Sequence, residues 1–338
     1  SEEGQSEGFS RRDLLTAPFR AFRSDADPRE PGAAEKAPPT ETITVERSLH
    51  PAIRYGVSQA LLKAVALTTG KTIAEVIALE WDLPRPGRPI PLHAQTGADS
   101  RKSMDEMIIR QLDSLGYDFA QDLAEEAGGD GEALVQFVRW LRERIEGLGG
   151  GDYRPTIHLD VHGFLGRIYE NNLGRILGYL YRLESHVQPY RLRIESPVVM
   201  DSREAQIETM KTLREYVQFR KMSVELVADE WANTLDDVRA FLAAQAADMI
   251  HVKMPHLGSV HNSVDAVLSC REKETGALLG GSCTETDLSA RVSAHVALAT
   301  LPDVVMAKPG KDVTAGTALL QNEMARALVT IKRARPSR

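Results

Sequence analysis

Cysteine is scarce in this chain: only Cys270 and Cys283 occur in 338 residues. Two thiols cannot build the disulfide framework of a small secreted domain, so a reducing cytoplasm is the expected compartment. Long apolar runs are missing too. No stretch approaches the roughly 20 residues that span a bilayer, and the opening SEEGQSEGFSRRDLL has no apolar core of a secretory signal. Neither a membrane nor export is expected. Cationic excess is also absent, because 41 Lys and Arg face 48 Asp and Glu for a net charge of −7. Without a basic stripe, nucleic acid is not an expected partner.

What is present divides at about residue 88. Residues 1–45 are polar and proline-rich (SDADPREPGAAEKAPPTET) and read as a loose segment. Residues 48–82 read as helical. In HPAIRYGVSQALLKAVALTTG, Ile53, Val57, Ala60, Leu61 and Ala64 fall near a 3.6-residue period, with Gly70 as a stop. KTIAEVIALEW follows as a second helix and runs into the loop DLPRPGRP.

From residue 89 to 338, short β-rich runs alternate with amphipathic segments. The expected strands lie in PIPLHAQ, IIRQLDSLGY, TIHLDVHG, RLRIESP, VELVADE, MIHVKMP, GALLGGSC and DVVMAKPG. Stretches such as EALVQFVRWLRERIEGL and REAQIETMKTLREYVQFR separate them as helices. Strands alternating with helices mean a parallel sheet, and eight such units close a barrel more naturally than they form an open sheet. The expected fold is α/β, a (β/α)8 barrel of the TIM type over 89–338, with 1–88 as a capping region.

Four charged residues end consecutive strand runs: Asp160, Glu195, Asp229 and Lys253. A carboxylate at one strand end commonly caps a helix or faces solvent. Three on consecutive strands, with a lysine on the next, would instead converge at the C-terminal mouth of the barrel. Clustered carboxylates repel one another unless a cation compensates. Mg²⁺ suits them, since it takes few protein oxygens and keeps open positions for substrate. A substrate carboxylate on that ion would have its neighbouring C–H acidified. Lys253, inside an apolar strand, is the candidate base. His251, two residues earlier, shares its strand face. It could bind substrate or assist proton transfer, or serve as a core histidine. Gln95, Tyr117, Ser282, Cys283 and Lys308 end the remaining runs and are expected at the same mouth. His158 and His162 flank Asp160 and are not assigned as ligands.

These residues sit in blocks that resemble the methylaspartate ammonia-lyase family of the enolase superfamily. The blocks are HPAIRYGVSQALL, AQTGAD, HLDVHG, LRIESP, ELVADEWANTLDDV, HVKMPHLGSVHN, GGSCTET, AKPG and NEMARAL, in the family order from about residue 50 to the end. The resemblance implies an N-terminal α+β cap over a modified TIM barrel, and a homodimer. It implies reversible elimination of ammonia from 3-methylaspartate to give mesaconate, with Mg²⁺ and a lysine base. Asp160, Glu195 and Asp229 match the metal ligands, Lys253 the base, and Gln95 and Cys283 substrate contacts.

The shell around them departs from the family pattern. Tyr117 stands where the family has a histidine, His251 where it has glutamine, and Ser282 where it has threonine. Leu92 and Leu278 take the places of a pocket phenylalanine and tyrosine. The family's N-terminal β-sheet region is poorly matched by residues 1–45, so a reduced or truncated cap, or one supplied by a separate chain, is expected. The leading reading is a Mg²⁺-dependent carbon–nitrogen lyase acting on 3-methylaspartate or a related amino dicarboxylate, with the reaction type retained and the substrate-facing shell changed. A dehydratase or epimerase of the superfamily is the alternative. The absence of a lysine at 117 and of a histidine at 282–283 argues against it. A barrel subunit that needs a separate capping chain is the third.

Overall fold

The computed structural model describes residues 49–96, 100–118, 129–282, 285–307 and 312–334. Eight parallel strands close a barrel in sequence order. They are β1 (Leu92–Gln95), β2 (Ser114–Asp118), β3 (Thr156–Asp160), β4 (Arg191–Glu195), β5 (Val224–Ala228), β6 (Met249–Lys253), β7 (Gly276–Gly280) and β8 (Val304–Met306). β1 pairs with β8 through Leu92↔Val305, which completes the ring. The expected barrel is therefore the observed one.

Ahead of it lie helices α1 (Pro51–Thr68) and α2 (Ile73–Glu80). The connecting segments carry α3 (Ser100–Ile109), α4 (Glu132–Leu148), α5 (Phe164–Ile168), α6 (Leu173–Val187), α7 (Arg203–Phe219) and α8 (Leu235–Ala244). They continue with α9 (Met254–Leu257), α10 (Val260–Glu272), α11 (Asp287–Thr300) and, after β8, α12 (Val313–Arg333). Local chemistry starts the outer helices: Ser202, Thr234, Ser259, Thr286 and Asp312 each accept an amide proton of the first turn. Among the described residues no helix is long and apolar enough to cross a membrane.

Strand alternation sorts the side chains into two layers. Leu92, Ala94, Leu115, Tyr117, Leu159, Ile194 and Val252 belong to the large core under the helices. Val227, Met249, Leu278, Val304 and Met306 form a small separate cluster inside the barrel. At the floor, Asp113, Asp248 and Asp303 each precede a strand. Each accepts the backbone N–H of a residue in the strand before it: Leu92 at 2.8 Å, Leu226 at 2.9 Å and Ala277 at 2.8 Å.

Two expectations need correction. The run IIRQLDSLGY is a strand only from Ser114, because Met104, Met107 and Ile108 recur at helical spacing and are buried as the inner face of α3. In α1 the helix is present, yet the periodic stripe points outward: Ile53, Val57 and Leu61 are 54%, 50% and 64% exposed. The residues α1 buries are Tyr55 and Ala66.

Candidate active site

The acids of the mouth arrive by strand register. Asp118 pairs with Asp160, and Asp160 with Glu195, so three neighbouring strands end on inward carboxylates at one level. Asp229 follows β5 and Lys253 ends β6. Asp160, Glu195 and Asp229 are buried, and Lys253 is mostly so. Lys253 Nζ lies 2.7 Å from Asp229 Oδ1.

Glu195 is the hub. His158 Nε2 approaches its Oε2 at 2.6 Å, and His251 Nδ1 its Oε1 at 2.7 Å. His251 Nδ1 also lies 3.4 Å from Asp229 Oδ1. The His251 ring occupies the space over Gly280, where any Cβ would overlap Nε2. That strand position is therefore restricted to glycine while an imidazole stands at 251. On the other side, His162 Nε2 is 2.8 Å from Asp118 Oδ1 and 3.5 Å from Asp160 Oδ2.

Burial, followed by the charges of Glu195, Asp229 and Asp118, pushes the Asp160 carboxyl well above its ordinary range. Burial acts the same way on Glu195, but His251 and His158 overcome it and hold that carboxylate well below its usual value. At Lys253 two effects oppose each other. Burial lowers its pKa, yet Asp229 outweighs burial, with Glu230 and Glu195 adding to it, and the ammonium is held above its ordinary value.

Can these residues hold a hard cation? Donor atoms of Asp118, Asp160 and His162 lie within 4.8 Å of one another, and so do those of Glu195, Asp229 and His251. The expected trio of acids is thus shared between two adjacent donor sets. The sets are rich in carboxylate oxygen, and Asp160 carries a repulsion that a cation would relieve. That chemistry fits Mg²⁺.

The substrate-facing candidates divide. Gln95 is half-buried at the end of β1 and shares the inner face with Gly116. Ser282 is half-buried, and its N–H donates to Glu285 Oε2 at 2.9 Å. Leu278 points inward but is fully buried in the barrel's apolar cluster, one layer beneath Gly280. Tyr117 and Leu92 face the other way. The alternation that turns Asp118 inward turns Tyr117 outward, where its ring packs on Phe137 with centroids 4.1 Å apart. Leu92 likewise lies in the core beneath the helices. A role at the mouth does not fit either side chain. Cys283 and Lys308 lie outside the described residues, as do 1–45.

Sequence reasoning passed over two inward residues. Asp118 adds a fourth carboxylate. His93, fully buried, donates or accepts at 2.8 Å with Ser114 Oγ and lies 4.8 Å from the His158 ring. The alternation rule could have found both. If Gln95 faces inward so does His93, and if Tyr117 faces outward Asp118 does not.

Comparison with known proteins agrees with this architecture. Family models described as methylaspartate ammonia-lyase N-terminus and C-terminus match residues 14–82 and 86–333. The chain belongs to the methylaspartate ammonia-lyase family. It is similar to methylaspartate ammonia-lyase 2 of Carboxydothermus hydrogenoformans, at 46% identity over 85% of this chain and 69% of that protein. The structure of β-methylaspartase from Clostridium tetanomorphum, a Mg complex, covers 98% of this chain and 81% of its own at 35% identity, with a TM-score of 0.82. The Citrobacter amalonaticus enzyme containing (2S,3S)-3-methylaspartic acid matches at 39% identity over 84% of this chain and 69% of its own, with a TM-score of 0.80. A methylaspartate ammonia-lyase fold thus supplies the barrel, and this chain's own residues supply the mouth.

Proposed function

We propose that the protein is a Mg²⁺-dependent ammonia-lyase acting on 3-methylaspartate or a closely related amino dicarboxylate. The observation that carries the reading is Lys253 Nζ, set 2.7 Å from Asp229 at the edge of a buried carboxylate nest. Lys253, once neutral, removes the proton from C3 of the substrate. The C3–H electrons form the C2=C3 bond as the C2–N bond breaks, so the products are mesaconate and ammonia. Asp160, Glu195 and Asp229 would hold Mg²⁺, which would supply positive charge to offset these acids and favour the neutral form of Lys253. His158 and His251 orient Glu195 through both its oxygens. His251, which shares the Lys253 strand face and also approaches Asp229, is the candidate for a second proton transfer. Gln95 and Ser282 bind the substrate's carboxylate ends.

The same reading assigns residues 1–88 to the capping region and 89–338 to the catalytic domain. It places the protein in the cytoplasm as a homodimer. The test is direct. Purified protein with Mg²⁺ and 3-methylaspartate should release ammonia and gain alkene absorbance at equal rates. Lys253→Ala should slow both by roughly 10²–10⁴-fold, the usual worth of a general base. Ammonia release by Lys253→Ala at the wild-type rate would sink the reading.

A further inference from the structure

We infer that Tyr55 of α1 is a positioning residue for the substrate-binding loop after β7, acting through Glu285. The inference rests on the lyase reading above for the meaning of that loop, since Ser282 lies in it. Its geometry is independent of that reading.

Tyr55 is one of the two residues α1 buries, and it is 4% exposed although most of its helix faces outward. Its hydroxyl donates to Glu285 Oε1 at 3.1 Å. The other oxygen of the same carboxylate, Oε2, accepts the Ser282 N–H at 2.9 Å. One carboxylate therefore ties a cap-region phenol to the backbone of the residue after the GG turn. The phenol also lies 3.8 Å from Met254 Sδ, and Met254 directly follows Lys253. Ser293 Oγ of α11 holds that sulfur from another side at 3.3 Å. Tyr55 thus touches both the chain leaving the candidate base and the acid that holds the candidate substrate loop.

The seat of Tyr55 is fixed. One turn along α1, Ser58 Oγ accepts the N–H of Val260, the first residue of α10, at 3.0 Å. Burial and the charge of Glu285 keep the phenol's pKa well above its usual value, so it stays protonated and donates. A single hydrogen atom on a side chain near the start of α1 selects the Glu285 rotamer that can receive Ser282. The cap region therefore reaches the substrate without touching it.

The test uses the whole chain and two readouts. Tyr55→Phe removes only the hydroxyl, and Glu285→Gln keeps the size of the acid while giving up one acceptor oxygen. Each should raise KM for 3-methylaspartate about tenfold, the usual effect of one lost hydrogen bond, and leave kcat within about twofold. In hydrogen exchange, amides around Ser282 should open several-fold faster in both variants while those of the β4 and β5 strands stay unchanged. The double variant should match either single one, because both break the same link. Unchanged exchange and KM in Tyr55→Phe, with the wild type active, would overturn the relay and leave the lyase reading standing. So would a double variant that sums the two single effects. Faster exchange in a protein whose wild type does not turn over 3-methylaspartate would support the relay and reject the substrate.

Discussion

Acids stand at both ends of this barrel, and their surroundings differ. At the floor, Asp113, Asp248 and Asp303 each accept a backbone N–H from a neighbouring strand, and Asp248 also receives Arg214 Nε at 2.6 Å. Their charges are spent on protein donors, and they fasten one strand to the next. At the mouth, Asp118, Asp160, Glu195 and Asp229 gather with a lysine and three histidines, and burial plus mutual repulsion push Asp160 well above its ordinary pKa. One residue type thus stabilises the fold where backbone donors meet it and strains the fold where other carboxylates do. The barrel keeps its structural acids and its reactive acids on opposite faces, as the fold's division of labour predicts.

The strongest way to break this comparison is to supply and remove the cation. Mg²⁺ at about a hundred times its dissociation constant should stabilise the protein by roughly 2.7 kcal/mol, and a chelator should reverse that shift. Asp160→Asn should abolish most of the Mg²⁺-dependent shift. The sign for the metal-free protein is opposite. An acid whose pKa is raised on folding contributes stability at low pH and loses it as pH rises through the folded value. At neutral pH the metal-free Asp160→Asn protein should therefore melt above the metal-free wild type. Thermal melts with and without Mg²⁺ decide it. A wild type indifferent to Mg²⁺ would leave the mouth acids with no more explanation than the floor acids.

At the floor the expected effect is smaller and of opposite kind. Asp248→Asn weakens the acceptor of Leu226 N–H and the partner of Arg214. It should cost about 2 kcal/mol, the scale of hydrogen bonds to charged groups. Turnover per folded molecule should stay at the wild-type level, because the residue lies at the far end of β6 from Lys253. Denaturant midpoints and active-site-normalised rates measure the two halves separately. A fall in kcat without a fall in stability would erase the distinction between the faces.

The same contrast explains which parts of the fold and the site are legible in the sequence. Eight strands were legible because each is a short apolar run bounded by polar turns, and Asp160, Glu195 and Lys253 were legible because each ends such a run. Facing was harder. The end of a strand in sequence does not say which of its last two residues looks inward; register does, and register is a property of pairs. Tyr117 was expected at the mouth, but Asp118 pairs with Asp160 and takes that place. Leu92 was expected in the pocket, but Gln95 at the mouth requires His93 beneath it. The floor acids escaped notice because nothing in DSLGY, DMIHV or DVVMA distinguishes a strap from a solvated loop residue. The Tyr55–Glu285 link joins residues 230 positions apart, beyond the reach of any local pattern.

The smallest effect sharpens the mouth itself. Tyr117 is the next-to-last residue of β2, beside the nest in sequence, and a phenol there would be a natural second acid or base. Its ring instead lies in the helix-facing core at 6% exposure, packed on Phe137. The inward position next to it already belongs to Asp118, whose Oδ1 holds His162 at 2.8 Å. Tyr117→Phe keeps the ring and its packing, so kcat/KM should stay within about twofold of wild type, well below the range expected of a lost general acid or base. Asp118→Asn, one residue on, should be the more damaging change, since it releases His162 from the edge of the Asp160 donor set. Parallel steady-state kinetics on the two variants would rank them. A larger loss in Tyr117→Phe would mean that β2 presents its phenol to the substrate, and the alternation that sorts every other strand of this barrel would fail at that position.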